Sequence, residues 1–134
     1  MRVIADTGFV VAFLNRNDRF HNWAIALAHQ IVEPALTCEA VLAEAAFHVR
    51  STEKVLLLLD EGLLKLGFNC IEHQRPLFEL ARRYKDRRPD LADLCIIRMS
   101  EMYPRLPVLT TDVSDFRVYR RNKRERIPLL VPPE

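Results

Sequence analysis

Short apolar segments alternate with longer helical ones along the whole chain, and no two are joined by a hairpin signal such as Asn-Gly. "RVIAD" (2–6), "ALT" (35–37), "FNCIE" (68–72), "PVLTTD" (107–112) and "IPLLVP" (127–132) read as short strands, the last as a strand or extended tail. Strands joined only through helices run parallel, because a parallel neighbour needs a crossover connection. Such a sheet is covered on both faces, which explains apolar rather than alternating strands. The expectation is therefore a single α/β domain over residues 1–134, with a central parallel sheet flanked by helices. A chain of this length buries a core without disulfides or a structural metal.

The intervening helices carry their own signals. "TGFVVAFLN" (7–15) is apolar at helical density. In "DRFHNWAIALAHQIV" (18–32), Asp18 is the predicted N-cap, Phe20, Trp23, Ile25, Leu27 and Ile31 form a broad apolar face, and Glu33-Pro34 is the stop. Thr37 is the predicted cap of "CEAVLAEAAFHVR" (38–50). "STEKVLLLLDEGLLKLG" (51–67) reads as one helix or two short ones, capped by Ser51 or Thr52 and stopped by Gly67. "RPLFELARRYKD" (75–86) has Pro76 near its start, and "DLADLCIIRMSEMY" (90–103) has Asp90 at its N-cap.

Composition removes several function classes. With 49% hydrophobic and 28% charged residues the chain is globular rather than disordered. Three glycines are too few for a P-loop or a dinucleotide fingerprint. The longest apolar run is "VLLLL" at 55–59, so no membrane span is expected, and Asp6 so close to Met1 argues against a signal peptide. Cys38, Cys70 and Cys95 are odd in number and lack CxxC spacing, which excludes a disulfide framework or a thiolate zinc site and fits a reducing, cytoplasmic setting.

Four carboxylates interrupt segments that should face the core. Asp6 ends the first strand, Glu44 lies in "AVLAEAAF", Asp93 in "LADLCII", and Asp112 ends "VLTTD". Each alone has a structural reading: Asp6 as the cap of the helix at 7–14, Asp90 and Asp112 as N-caps, and Glu44 on a solvated face. Together they are harder to dismiss, because lone buried carboxylates are costly and converging ones repel. A divalent cation removes both penalties, and an all-oxygen set with room for water suits Mg²⁺ or Mn²⁺. In open parallel sheets the ligand crevice lies at the carboxyl ends of strands, where Asp6 and Asp112 fall.

"VIADTGFVVAFLN", "EAVLAEAAF", "DLADLCII" and "VLTTDVSDFRVYR" resemble the four motifs of PIN-domain nucleases, and most closely VapC-type toxins of type II toxin–antitoxin pairs, from Val3 to about Val131. The resemblance implies a flavodoxin-like α/β/α PIN domain spanning the chain. It implies a catalytic set of Asp6, Glu44, Asp93 and Asp112, with Asp6, Asp93 and Asp112 holding Mg²⁺ or Mn²⁺. Thr110 becomes the hydroxyl paired with the fourth acid, and Asp90 and Asp115 become auxiliary acids that hold basic side chains or water. Two positions depart from the pattern: "LCIIRMSE" replaces an alanine-rich run after the third acid, and Gly8 stands where Ser is commoner. The implied activity is metal-dependent endoribonucleolytic cleavage by an activated water. His48, one helical turn after Glu44, and Cys95, two residues after Asp93, read as structural.

An acidic site needs positive charge elsewhere to hold RNA. "ARRYKDRR" (81–88) and "RVYRRNKRER" (117–126) supply it; within the second, Arg117, Arg120, Arg121, Lys123 and Arg124 are predicted phosphate contacts and Tyr119 a stacking platform for a base. The same segment could be a solvated loop or the dock of an acidic partner. The helices at 18–31 and 53–66 carry more apolar surface than one sheet face needs, which either covers the sheet or, as the resemblance implies, forms a homodimer or an antitoxin groove, with Trp23 as a core or interface anchor. Three readings follow: a toxin with a cognate antitoxin, a housekeeping PIN nuclease in RNA processing, and a catalytically silent RNA-binding domain.

Overall fold

The computed structural model describes residues 1–133. Five parallel strands form one sheet: β1 (Ile4–Ala5), β2 (Ala35–Thr37), β3 (Leu64–Leu66), β4 (Val108–Leu109) and, by chain order after a separate ribbon, β7 (Leu129–Leu130). Their order is β3-β2-β1-β4-β7, every pair parallel. Seven helices complete an α/β/α sandwich of flavodoxin-like layering: α1 (Thr7–Leu14), α2 (His21–Gln30), α3 (Glu39–Val49), α4 (Thr52–Asp60), α5 (Gln74–Arg83), α6 (Leu91–Met102) and α7 (Val113–Phe116). Val3, Ile4, Ala5, Val108 and Leu109 are fully buried, as a doubly covered sheet requires. The chain steps from β1 out through β2 to β3, then returns to the other side of β1 for β4. The strand order reverses between β1 and β4, and a crevice opens outside their carboxyl ends. Among the described residues no helix is long and apolar enough to cross a membrane, and the three cysteines are free.

The predicted strand at 68–72 and the helix continuing through 67 are corrected. Helix α4 stops at Asp60 because Gly62, at φ +82, closes it: Leu63 N donates to Leu58 O and Gly62 N to Leu59 O. This is the paired bonding of a Schellman end, which favours glycine in the left-handed position. The freed segment becomes edge strand β3, in register with β2 from Ala35↔Leu64 to Thr37↔Leu66. Residues Cys70–His73 form a 3₁₀ turn instead of a strand, since the Asn69 carboxamide accepts from Ile71 N and bends the backbone.

Caps were partly legible. Ser51 and Asp90 cap α4 and α6 through their side chains, accepting from Lys54 N and Asp93 N. Thr37 does not cap α3: its hydroxyl donates to Ala5 O across the sheet, and Cys38 holds the cap position. Asp18 lies in the turn before α2 and accepts from Phe20 N rather than capping the helix at residue 18. Trp23 is half-buried and meets Phe9 edge-on, with centroids 6.1 Å apart, which makes it a core anchor.

An antiparallel ribbon absent from the sequence reading, β5 (Arg120–Arg121) with β6 (Glu125–Arg126), precedes β7. Its turn places Asn122 and Lys123 at φ 49 and 69, two successive left-handed residues of the kind a tight hairpin demands. The Asn-Lys pair carries no glycine, so the hairpin signal was missing.

Candidate metal centre

Asp6 sits directly after β1 and Asp112 after the β4 strand end, on opposite sides of the strand-order reversal. Thr110 ties the two together. Its hydroxyl donates to Asp6 Oδ2 at 2.7 Å and accepts from Asp112 N at 3.0 Å. Asp6 is only 4% exposed and, although it precedes α1, its side chain makes no cap hydrogen bond. Asp112 does cap α7, accepting from Asp115 N, so for this residue the structural and site readings coexist. Glu44 comes from the middle of α3 and Asp93 from the first turn of α6.

All four line one cleft of about 410 Å³, together with Asp18, Asp90 and Asp115. Seven of the chain's 18 acidic residues therefore face a single space. One carboxylate oxygen from each of Asp93, Asp112 and Asp115 lies within 4.8 Å of the others. That grouping differs from the predicted trio of Asp6, Asp93 and Asp112: Asp115, predicted as auxiliary, stands among the closest oxygens, while Asp6 contributes from deeper in the same cleft. Asp115 also takes Arg87 Nη2 at 2.6 Å, the basic partner expected of an auxiliary acid. Asp90 is spent on the α6 cap, and this fixes the backbone that carries Asp93.

The electrostatics are those of crowded carboxyls partly withdrawn from water, Asp6 most of all. Burial raises Asp6 from 3.8 to about 6, against the opposing Thr110 hydrogen bond, with Asp112 and Asp90 adding repulsion. Burial and then the facing Asp90 carboxyl raise Glu44 from 4.5 to about 7. Burial, then Asp90 and Asp6, raise Asp93 from 3.8 to about 8. Asp112 is raised too, again first by burial. Thr7 Oγ1 lies near Glu44 but outside hydrogen-bonding geometry, leaving a buried hydroxyl without a partner on the cleft wall. All-oxygen donors, oxygens close enough to share one ion, and an orphaned hydroxyl beside them fit a small hard divalent cation.

Gly8 is explained by the site. A Cβ there would lie 2.0 Å from Thr111 Oγ1, so that hydroxyl would have to turn away, and 3.1 and 3.2 Å from Thr111 Cβ and N, a tight approach to the loop that carries Asp112. The close approach of α1 to that loop favours a small residue at position 8.

The predicted nucleic-acid contacts divide. Tyr119 is corrected: it is 0% exposed, wedged edge-on between Tyr84 and Phe116, and no base can stack on it. Its hydroxyl donates to Asp93 Oδ2 at 3.0 Å. Arg120 and Arg121 are half-buried and spent on the protein. Arg120 Nη1 donates to the carbonyls of Arg117, Val118 and Tyr119, and Arg121 Nη1 to those of Ser100 and Pro104. Arg117, Lys123 and Arg124 are exposed. Asp18, Arg87 and Arg88 also line the cleft, beyond the residues expected there, and His48, expected as a packed or solvated histidine, is exposed on the cleft wall. Position in "ARRYKDRR", just before the Asp90 cap, was the available signal for the two arginines. Cys95 is core as expected, its Sγ 3.6 Å from Cys70 Sγ.

No model of a known protein family matches the chain, and no curated protein matches it significantly.

Proposed function

We propose that this protein is a divalent-cation-dependent endoribonuclease of the PIN-domain type, acting as the toxin of a toxin–antitoxin pair. The observation that carries the reading is the convergence of Asp6, Glu44, Asp93 and Asp112 from four distant segments on one cleft at the strand-order reversal, with their carboxyls held above the usual range. Asp6, Asp93 and Asp112 each accept one hydrogen bond, from Thr110, Tyr119 and Asp115 N, but their charge is not balanced by cations. Here a shared space is crowded with acids, and Arg87 alone forms an ion pair with any of them among the described residues.

Asp93, Asp112 and Asp115 would hold Mg²⁺ or Mn²⁺, with Asp6 beside them. When bound, the cation acidifies water and neutralises charge building on the phosphate. Glu44, raised to about 7, is matched to accept a proton from the attacking water near neutral pH. The water oxygen joins phosphorus as the bond from phosphorus to the leaving sugar oxygen breaks, and that oxygen takes its proton from solvent. Thr110 keeps the two strand-end carboxylates in a fixed relation, and Tyr119 keeps Asp93 turned toward the cleft. Arg88, on the cleft wall, is placed to meet a substrate phosphate.

The antitoxin or a second copy would dock on the α3–α4 face. There Phe47 is 79% exposed beside Leu42, Val55 and Leu56, around a groove of about 400 Å³. Val55 and Leu56 come from the predicted helix at 53–66, whereas α2 puts no large apolar side chain among the exposed ones of the described residues.

The deciding experiment compares wild type with Asp6→Asn and Asp93→Asn on structured cellular RNAs, with Mg²⁺ or Mn²⁺ and with chelator. Wild type should cleave only with metal, and both variants should lose at least about a hundredfold, the usual scale for a general-base or electrostatic group. Wild type that cuts no RNA, or variants that cut as well as wild type, would end the proposal.

A further inference from the structure

The outer face of α5 presents one arrangement that the cleft does not use. Arg75, Phe78 and Arg82 recur at three- and four-residue spacing, so they share a face, while Leu77 and Leu80 turn into the core. Phe78 is 51% exposed, and the guanidiniums of Arg75 and Arg82 lie 5.5 and 5.8 Å from its ring centre. Beside the ring the ion-paired Arg75 and Glu79, with Arg82, Arg83 and, from the turn of the β5–β6 ribbon, Lys123, line a hollow of about 460 Å³. Glu79 neutralises Arg75, whereas Arg82, Arg83 and Lys123 have no ion-pair partner among the described residues.

We propose that this face binds single-stranded RNA, with a base stacked on Phe78 and neighbouring phosphates held by Arg82, Arg83 and Lys123. The proposal rests on the ribonuclease reading for its ligand, but not for its measurement. The chemistry favours a single strand. An unstacked base offers the flat face an exposed ring needs, whereas a duplex keeps its bases inside and an acidic peptide has none to offer. The surface also answers a difficulty of the cleft, whose seven carboxylates repel phosphate. From Arg83 the chain runs through the 3₁₀ turn at Lys85–Arg87 to Arg87 and Arg88 on the cleft wall, so the cationic surface leads to the acids.

Binding of a short fluorescent single-stranded oligoribonucleotide to the full chain, followed by anisotropy in chelator, tests this without cleavage. Phe78→Ala should weaken binding at least about fivefold, the lower end for one base–aromatic stack, and Phe78→Trp should restore it. Arg82→Gln with Arg83→Gln should weaken binding and flatten the slope of log affinity against log salt by about 1.4, roughly 0.7 for each lost phosphate contact. Lys65→Gln, on edge strand β3 and outside the hollow, removes a charge elsewhere and should change affinity less than either arginine substitution. Phe78→Ala binding like wild type, a duplex binding as tightly as the single strand, an acidic peptide displacing RNA from wild type as well as unlabelled RNA does, or Lys65→Gln matching Arg82→Gln would each overturn the proposal. The two readings fail separately. Cleavage by wild type with unchanged binding by Phe78→Ala removes only the α5 surface; weakened binding with no cleavage under any metal removes only the nuclease.

Discussion

The acidic cleft and the β5–β6 ribbon are the two regions where the sequence concentrates charge, and the fold treats them in opposite ways. In the ribbon, Arg120 and Arg121 donate to five backbone carbonyls between them, and Glu101 accepts from Asn122 N at 2.6 Å. Those charges are satisfied where they stand: Ser100 and Pro104 offer carbonyls at and just beyond the C-terminal turn of α6, groups that favour a cation. In the cleft, Asp6, Glu44, Asp93 and Asp112 have too few donors, and their protons are held more tightly than usual. Charge density alone therefore does not mark a site. Charge that the protein leaves uncompensated is what sets the cleft apart from the ribbon.

The comparison is sharpest in its pH dependence. Acids whose folded pKa lies above the unfolded value bind more protons when folded, so the contribution of these acids to stability without metal is fully present below about pH 4 and is lost as pH rises toward 8. Asp6 alone, moving from 3.8 to about 6, corresponds to at most about 3 kcal/mol. Thermal melts in chelator should show this fall, Asp6→Asn should remove part of it, and Mn²⁺ at a hundred times its dissociation constant should restore about 2.7 kcal/mol at high pH. A pH dependence between 4 and 8 that Asp6→Asn leaves unchanged would mean the cleft acids are compensated after all, and the contrast with the ribbon would collapse.

Smaller is the effect of breaking the ribbon. Arg121→Met removes bonds from a side chain only 12% exposed and leaves carbonyls at the end of α6 unpaired. Such charged hydrogen bonds contribute about 1.5–3 kcal/mol, so the urea midpoint should fall accordingly while metal binding stays near wild type. Unchanged stability with a loss of RNA binding would return Arg121 to the phosphate-contact role first expected of it.

How far the chain could be read follows the same division. The parallel sheet, the four interrupting acids and the Ser51 and Asp90 caps depend on local pattern, and local pattern is visible in sequence. Strand β3 was hidden because "GLLKL" is equally apolar as helix or strand, and the deciding feature, Gly62 in a left-handed helix end, was outvoted by the later Gly67. Tyr119 was misread because an aromatic among arginines looks like a nucleic-acid platform. Its burial depends on Tyr84 and Phe116 closing over it, a contact spanning 35 residues on one side. Asp115 and Arg87 found each other across 28 residues, which no spacing rule encodes.

Tyr119 is also where the two regions meet, since it begins at the root of the ribbon and ends on Asp93. Tyr119→Phe keeps the ring and its two edge-on contacts and deletes one hydrogen bond, which should cost only about 1 kcal/mol of stability. The carboxylate it releases is one of the three closest oxygen donors, and loss of such a supporting bond lowers metal affinity by roughly tenfold or more. Calorimetric titration with Mn²⁺ separates the two effects. A purely structural tyrosine would shift the melt and leave the affinity alone, whereas a positioning tyrosine shifts the affinity more than the melt. The second result would mean that the satisfied region holds the unsatisfied one in shape, so that the ribbon serves the cleft without touching substrate.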